Sequence, residues 1–169
     1  MFNNCSTLKE IKFISFETTQ ITNMAAMFQE CNELEYLDLT NFNTYNVIDM
    51  AFMFNKCHKL KQIKGINNFN TSKVTNMSAM FQRCFELEYL DLYKFNTSNV
   101  TDMEWMFNQC HKLKYLNIKN FDTINVSNMK AMFQNCNELG YLDLTNFNTF
   151  NVTDMNRMFN ECHKLKQIK

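Results

Sequence analysis

An α/β repeat solenoid is the fold this sequence predicts, and three observations carry the prediction. The seven Cys stand at positions 5, 31, 57, 84, 110, 136 and 162, so one pattern of about 26 residues recurs along the whole chain. Six segments read Met-x-x-Met-Phe-x-x-Cys, such as Met50 to Cys57 and Met103 to Cys110, and Met1-Phe2-x-x-Cys5 is a truncated seventh; together they hold all thirteen Met and all seven Cys. The 169 residues include no Pro and only two Gly against seventeen Phe, so something periodic must replace the usual turn residues.

Two spacings alternate inside the repeat. Met50, Met53, Phe54 and Cys57 lie at i, i+3, i+4 and i+7, one face of a helix of about two turns. Asp49, Asn76, Asp102, Asn128 and Asp154 precede the first Met as N-caps of that helix. Leu34, Leu37 and Leu39 then form Leu-x-x-Leu-x-Leu, and Leu37-Asp38-Leu39, like Leu90-Asp91-Leu92, has the two-residue alternation of a short strand. The return segment Asn-Phe-Asn-Thr-x-Asn-Val, as in Asn146 to Val152, offers Asn and Thr side chains that bond nearby backbone.

One such coil cannot fold alone. Burial gives ~1.5–3 kcal/mol per apolar side chain, against ~1–2 kcal/mol of backbone entropy for every residue ordered. Neighbouring coils must stack, lining up Leu, Phe, Met and Cys in columns. The expected architecture is a leucine-rich-repeat arc, with a parallel β-sheet on the concave face and short helices on the convex face. Residues 1–169 make a single solenoid of six full repeats plus partial ends. It reads as a fragment or module of a longer array, the competing reading being a complete chain whose copies join end to end.

The unit Met-Phe-x-x-Cys-x-x-Leu-x-x-Leu-Asp-Leu-x-x-Phe-Asn-Thr-x-x-Val-Thr-Asp-Met, present in six phased copies, resembles the BspA-like leucine-rich-repeat surface-protein family. That resemblance implies a repeat domain displayed on a microbial surface as an adhesion or host-protein binding module, with no catalytic residues and no cofactor. Cell-surface or secreted localisation is implied by the resemblance alone, since the chain shows neither a leader nor an apolar run that spans a bilayer.

A second period overlies the first. Cys31, Cys84 and Cys136 are followed by acidic segments (Asn-Glu-Leu-Glu-Tyr-Leu-Asp after Cys31), whereas Cys57, Cys110 and Cys162 are followed by His-Lys-Leu-Lys. Down the stack one column runs Glu33, Lys59, Glu86, Lys112, Glu138, Lys164; a second runs Lys9, Glu35, Lys61, Glu88, Lys114, Gly140, Lys166; a third runs Lys12, Asp38, Lys64, Asp91, Asn117, Asp143, Lys169. With strands ~4.8 Å apart, alternation turns each like-charge repulsion into a cross-strand pair. Seventeen basic and seventeen acidic residues then cancel, which disfavours nucleic acid or an anionic membrane as partner.

These ladders read either as register-setting structure or as a striped binding surface. On the second reading the candidate binding residues are Tyr36, Tyr89, Tyr115 and Tyr141 in one outward column, beside Asp38, Lys64, Asp91 and Asp143, with Tyr93 extending the face. Tyr suits interfaces because it covers much area with few rotatable bonds. The expected partner is a protein or extended polymer bound without catalysis. A structural spacer or self-assembling array is the alternative.

Chemistry-bearing residues are sparse. The Cys lie at the end of an apolar face and read as buried thiols, because parallel side chains in one column seldom reach disulfide geometry. The neighbours Cys57-His58, Cys110-His111 and Cys162-His163 lie two repeats apart, ~10 Å, too far to share a zinc ion, so no metal is expected and the His read as solvated members of the basic stripes. Lys64-Gly65-Ile66-Asn67-Asn68 is one residue longer than its counterpart, which predicts a bulge at Gly65, with Ile66 in the Leu39 position. Trp105 stands where other units carry Ala or Phe52, either as an outward contact or packed on an adjacent repeat.

Overall fold

The computed structural model describes all of residues 1–169. Successive coils stack in parallel, and their buried residues form one continuous apolar core from Met24 to Met158. The aligned columns are present. Phe2, Phe28, Phe54, Phe81, Phe107, Phe133 and Phe159 form an unbroken file of stacked rings, with centroids 5.4–5.8 Å apart.

The predicted helices are absent; the only helical element is a single 3-10 turn, Ile66–Asn68. Each Met-x-x-Met-Phe-x-x-Cys segment is instead a chain of tight turns whose N–H groups alternate between two partners. Met53, Asn55 and Cys57 donate to the carbonyls of Met50, Phe52 and Phe54 three residues back, while Phe52, Phe54 and Lys56 donate to Ser78, Met80 and Gln82 in the next coil. A helix would consume all of these donors internally and leave the coils joined by side chains alone. The turns give half of them to the neighbour, and they place the same i, i+3, i+4, i+7 residues inward, so the spacing could not tell the two apart.

The turns require left-handed backbone at two positions per coil, and glycine occupies none of them. Phe52 and Lys56 have φ of 59° and 60°, as do their counterparts Ala79 and Arg83 (51° and 61°) and Trp105 and Gln109 (56° and 60°). A non-glycine residue there costs ~1–2 kcal/mol, offset by the ~1 kcal/mol that each inter-coil hydrogen bond adds and by the stacked core. The predicted capping residues have the expected chemistry in a different setting. Asp49 and Asn76 Oδ1 accept from the N–H of Ala51 and Ser78, both at 2.9 Å, and so start a turn run instead of a helix.

The return segments are bound across every coil boundary by buried threonines. Thr44 Oγ1 donates to the Asn70 carbonyl at 3.0 Å and accepts from the Asn70 N–H at 2.7 Å; Thr18, Thr71 and Thr123 repeat the pattern. The polar side chains of this segment thus join coils as well as turning the chain. A second rail sits on the turn side, where Gln29, Asn55, Gln82, Asn108 and Gln134 pass one amide hydrogen bond from coil to coil at 2.8–3.2 Å.

The strands do not form one continuous sheet. β1 (Tyr36–Asp38) pairs with β2 (Gln62–Lys64), β3 (Tyr89–Asp91) with β4 (Tyr115–Asn117), and β5 (Tyr141–Leu142) with β6 (Gln167–Ile168), giving three separate two-stranded parallel sheets. Each sheet joins an acidic coil to the basic coil after it. Between β2 and β3, and between β4 and β5, no strand hydrogen bonds form, while the turn ladder crosses the same boundaries intact. The expectation of one continuous parallel sheet is thus corrected to three strand pairs, and the unbroken backbone hydrogen bonding lies on the turn side.

The extra residue near Gly65 does not bulge the sheet either. β2 keeps its register, Asp38 opposite Lys64, and the insertion is absorbed beyond the strand in the Ile66–Asn68 turn, with Ile66 buried as expected. Gly65 is required there: its φ is +83°, and a Cβ would lie 2.5 Å from the Thr40 backbone nitrogen.

Candidate binding face

Strand alternation turns Leu37, Ile63, Leu90 and Leu116 into the core and leaves their neighbours facing solvent. The four column tyrosines are all exposed, Tyr36 by 42%, Tyr89 by 59%, Tyr115 by 46% and Tyr141 by 47%. They are not one continuous row. Tyr36 and Tyr141 stand opposite Gln62 and Gln167, whereas Tyr89 stands opposite Tyr115 in register, with ring centroids 4.5 Å apart and planes within 3°. Burial and the neighbouring Tyr115 raise the Tyr89 hydroxyl pKa above the ordinary phenol value, and the Asp91 charge adds to the shift. Tyr93, just past β3, is also exposed.

The charge ladders form, but only inside coil pairs. In the first pair all three rungs close: Lys59 to Glu33 at 2.7 Å, Lys61 to Glu35 at 2.6 Å and Lys64 to Asp38 at 2.9 Å. Hydrogen bonds from Thr40 and Lys64 hold the Asp38 carboxyl far below the usual range, and Lys61 lowers the pKa of Glu35. The second pair closes two rungs, Lys112 to Glu86 at 2.7 Å and Lys114 to Glu88 at 2.8 Å; its third position sets Asp91 opposite Asn117 and is open. The third pair closes Lys164 to Glu138 at 2.7 Å, and Gly140 removes the acid that Lys166 would meet. Asp143 accepts from the Thr145 hydroxyl and N–H, which lower its pKa, with Lys169 and Lys119 adding smaller contributions.

Clefts open at the coil-pair boundaries. One of about 720 Å³ separates Phe13 and Phe16 from Tyr36 and Phe42; one of about 400 Å³ lies between Lys61 and Glu86; one of about 190 Å³ lies between Tyr115 and Tyr141, with Asp143 and Lys119 on its walls. His58 bridges the second of these, lying flat on Phe85 with centroids 4.6 Å apart, and His111 meets the edge of the same ring. Burial, with Arg83 and Lys56 nearby, pushes the His58 pKa below the ordinary imidazole value. His58 is thus a half-buried boundary residue whose charged form is disfavoured, where the sequence predicts a solvated, partly charged one.

Each thiol from Cys31 to Cys162 donates to the carbonyl of a Phe in the preceding coil at 2.9–3.2 Å. Burial raises their pKa values, to about 11 at Cys31 and about 12 at Cys110, so they are poor nucleophiles. No three His, Cys, Asp or Glu side chains converge on one point, and no helix is long and apolar enough to cross a membrane. Trp105, half-buried, packs toward the next repeat, where Lys130 Nζ lies 5.6 Å from its ring centroid.

The spacing sets these tyrosines and carboxylates on the outward face and places Asn117 in the third charge column without singling it out. The signal was present, an amide where the alternating column calls for a lysine. The stacking of His58 on Phe85 had no such signal, because it depends on which coil boundary lacks strand bonds.

The family model described as "Mycoplasma protein of unknown function, DUF285" matches residues 1–90 and again residues 84–169. No curated protein matches the chain. Among solved structures the chain is similar to a leucine-rich repeat protein from Bacteroides ovatus, with 18% identity and a TM-score of 0.47; the match covers 86% of this chain and 39% of that one.

Proposed function

We propose that this chain, which belongs to the DUF285 family of Mycoplasma proteins of unknown function, is a non-catalytic protein-interaction module that binds through its strand face. The observation that carries the reading is the stacked, exposed pair Tyr89–Tyr115 at the centre of that face. Aromatic rings held rigid in solvent lose little entropy on burial, and Tyr is among the residues that concentrate binding energy at interfaces. Paired charges around them, Glu86–Lys112 and Glu88–Lys114, form a polar rim that adds specificity more than affinity. Display at a microbial surface for adhesion, as in the BspA-like proteins that the repeat resembles, is the finer reading.

Catalysis is not part of the proposal: the thiols from Cys31 to Cys136 are buried and donate to backbone carbonyls, and the ring of His58, next to Cys57 in the chain, is stacked on Phe85. The test is to pan a random-peptide phage library on the full chain, with counter-selection on a Tyr89→Ala/Tyr115→Ala double variant whose unfolding curve matches the parent. Enriched clones that bind the parent at least tenfold more tightly than the variant support the strand face. Clones that bind both equally overturn it.

A further inference from the structure

The closed and open rungs of the charge ladder define a more specific site, which rests on the strand face being the binding surface. The first and second coil pairs have the same architecture: β1 opposite β2 and β3 opposite β4, each in parallel register, with Tyr36 and Tyr89 two residues before Asp38 and Asp91. In the first pair Lys64 Nζ sits 2.9 Å from Asp38 Oδ2. In the second the residue at that place is Asn117, and Asp91 forms no ion pair; its Oδ1 accepts only from the Tyr93 N–H, at 3.0 Å. Lys119, two residues beyond Asn117, bears on Asp143 across the next boundary and forms no ion pair with Asp91. Asp91 is therefore a half-buried carboxylate in a setting built for a cation that this chain does not supply there.

The surroundings specify which cation fits. Residues two apart on a strand share a face, about 6.6 Å apart, so the Tyr89–Tyr115 stack lies directly beside the open rung. Tyr36, in the closed pair, has Gln62 as its neighbour, so the aromatic pair and the missing lysine occur together only in the second pair. A carboxylate beside exposed aromatic rings favours a planar, weakly hydrated cation that can hydrogen-bond and stack at once. Arginine has these properties and lysine does not. The Asn117 amide adds a polar edge and no competing charge.

We propose that Asp91, with Tyr89, Tyr115 and Asn117, is an arginine-recognition site in which a partner protein's guanidinium completes the open rung that Lys64 closes internally in the neighbouring pair.

The test uses the full chain and N-acetyl-arginine amide as probe, with N-acetyl-citrulline amide as its uncharged isostere, followed by NMR on the Tyr89 and Tyr115 ring signals. Arginine is expected to shift those signals at least fivefold more than citrulline at equal concentration. Asn117→Lys, which copies the closed rung of the first pair, is expected to reduce the arginine response to the citrulline level, as is Asp91→Asn. Equal responses to the two probes, or an arginine response unchanged in Asn117→Lys, overturn the proposal. Selected phage clones separate this failure from failure of the face as a whole. Clones that need the tyrosines but bind Asn117→Lys as tightly as the parent leave the strand face standing and overturn the arginine site.

Discussion

The turn side and the strand side of this solenoid solve the same joining problem in opposite ways. On the turn side, backbone hydrogen bonds, stacked Phe rings and the Gln/Asn rail cross every boundary between coils that they meet. On the strand side, the strand-to-strand hydrogen bonds and the ladder ion pairs close within coil pairs and stop between them. Cohesion therefore resides in the turns, where the chain accepts left-handed backbone to obtain it. The strand face is left free to carry exposed rings and unpaired charge, a division between scaffold and variable surface found in many binding proteins.

The largest effect expected from disturbing this division is in the Phe file. Phe81, fully buried between Phe54 and Phe107, should cost ~3–5 kcal/mol of unfolding free energy on replacement by Ala, measured by urea titration; a loss below ~1 kcal/mol would mean the file is not the main support. Next comes the strained backbone. At Gln109, with φ of 60°, a β-branched Ile should cost ~1–3 kcal/mol, whereas Gly should be tolerated without loss. If Ile and Gly behave alike, the left-handed turns are not what joins the coils.

The boundary between the first two coil pairs has its own signature in pH. Because burial lowers the folded-state pKa of His58, the unfolded chain binds the proton more readily. Stability should hold steady above the unfolded imidazole value of about 6.5 and fall as pH drops through it toward the lower folded value. His58→Phe should flatten that fall in thermal melts between pH 7 and 5. The paired carboxylates Glu35 and Glu88, lowered by Lys61 and Lys114, act in a separate window: their contribution is present above about pH 4.3 and is lost as pH falls further. The smallest effect is expected from closing the open rung. Asn117→Lys should raise Tm by only about 1–3 °C, as befits one exposed ion pair.

Much of this was legible in the sequence, and the rest was hidden for identifiable reasons. The coil length, the aligned Phe and Cys columns and the acidic–basic alternation follow from the spacing of Cys31, Cys57 and Cys84 and from Glu33 opposite Lys59. The turn runs read as helices in the sequence because inward spacing is the same for both, and because Phe52 and Lys56 give no sign of positive φ in the way a Gly would. The breaks between sheets are hidden for a related reason: a repeating pattern predicts equal boundaries, whereas in the fold β2 and β3 do not pair. Tyr89 and Tyr115 were found, but their face-to-face arrangement depends on both lying in one pair.

The pairing of coils also bears on how such a chain lengthens. Inserting or deleting one coil would part an acid from its lysine and a strand from its mate, as separating Glu33 from Lys59 and β1 from β2 would do. Inserting or deleting a matched couple leaves every such bond satisfied and meets only a seam that the turn ladder already spans. Gene duplication is then tolerated in even steps, and the number of recognition elements on the surface can grow without redesign of the scaffold beneath them.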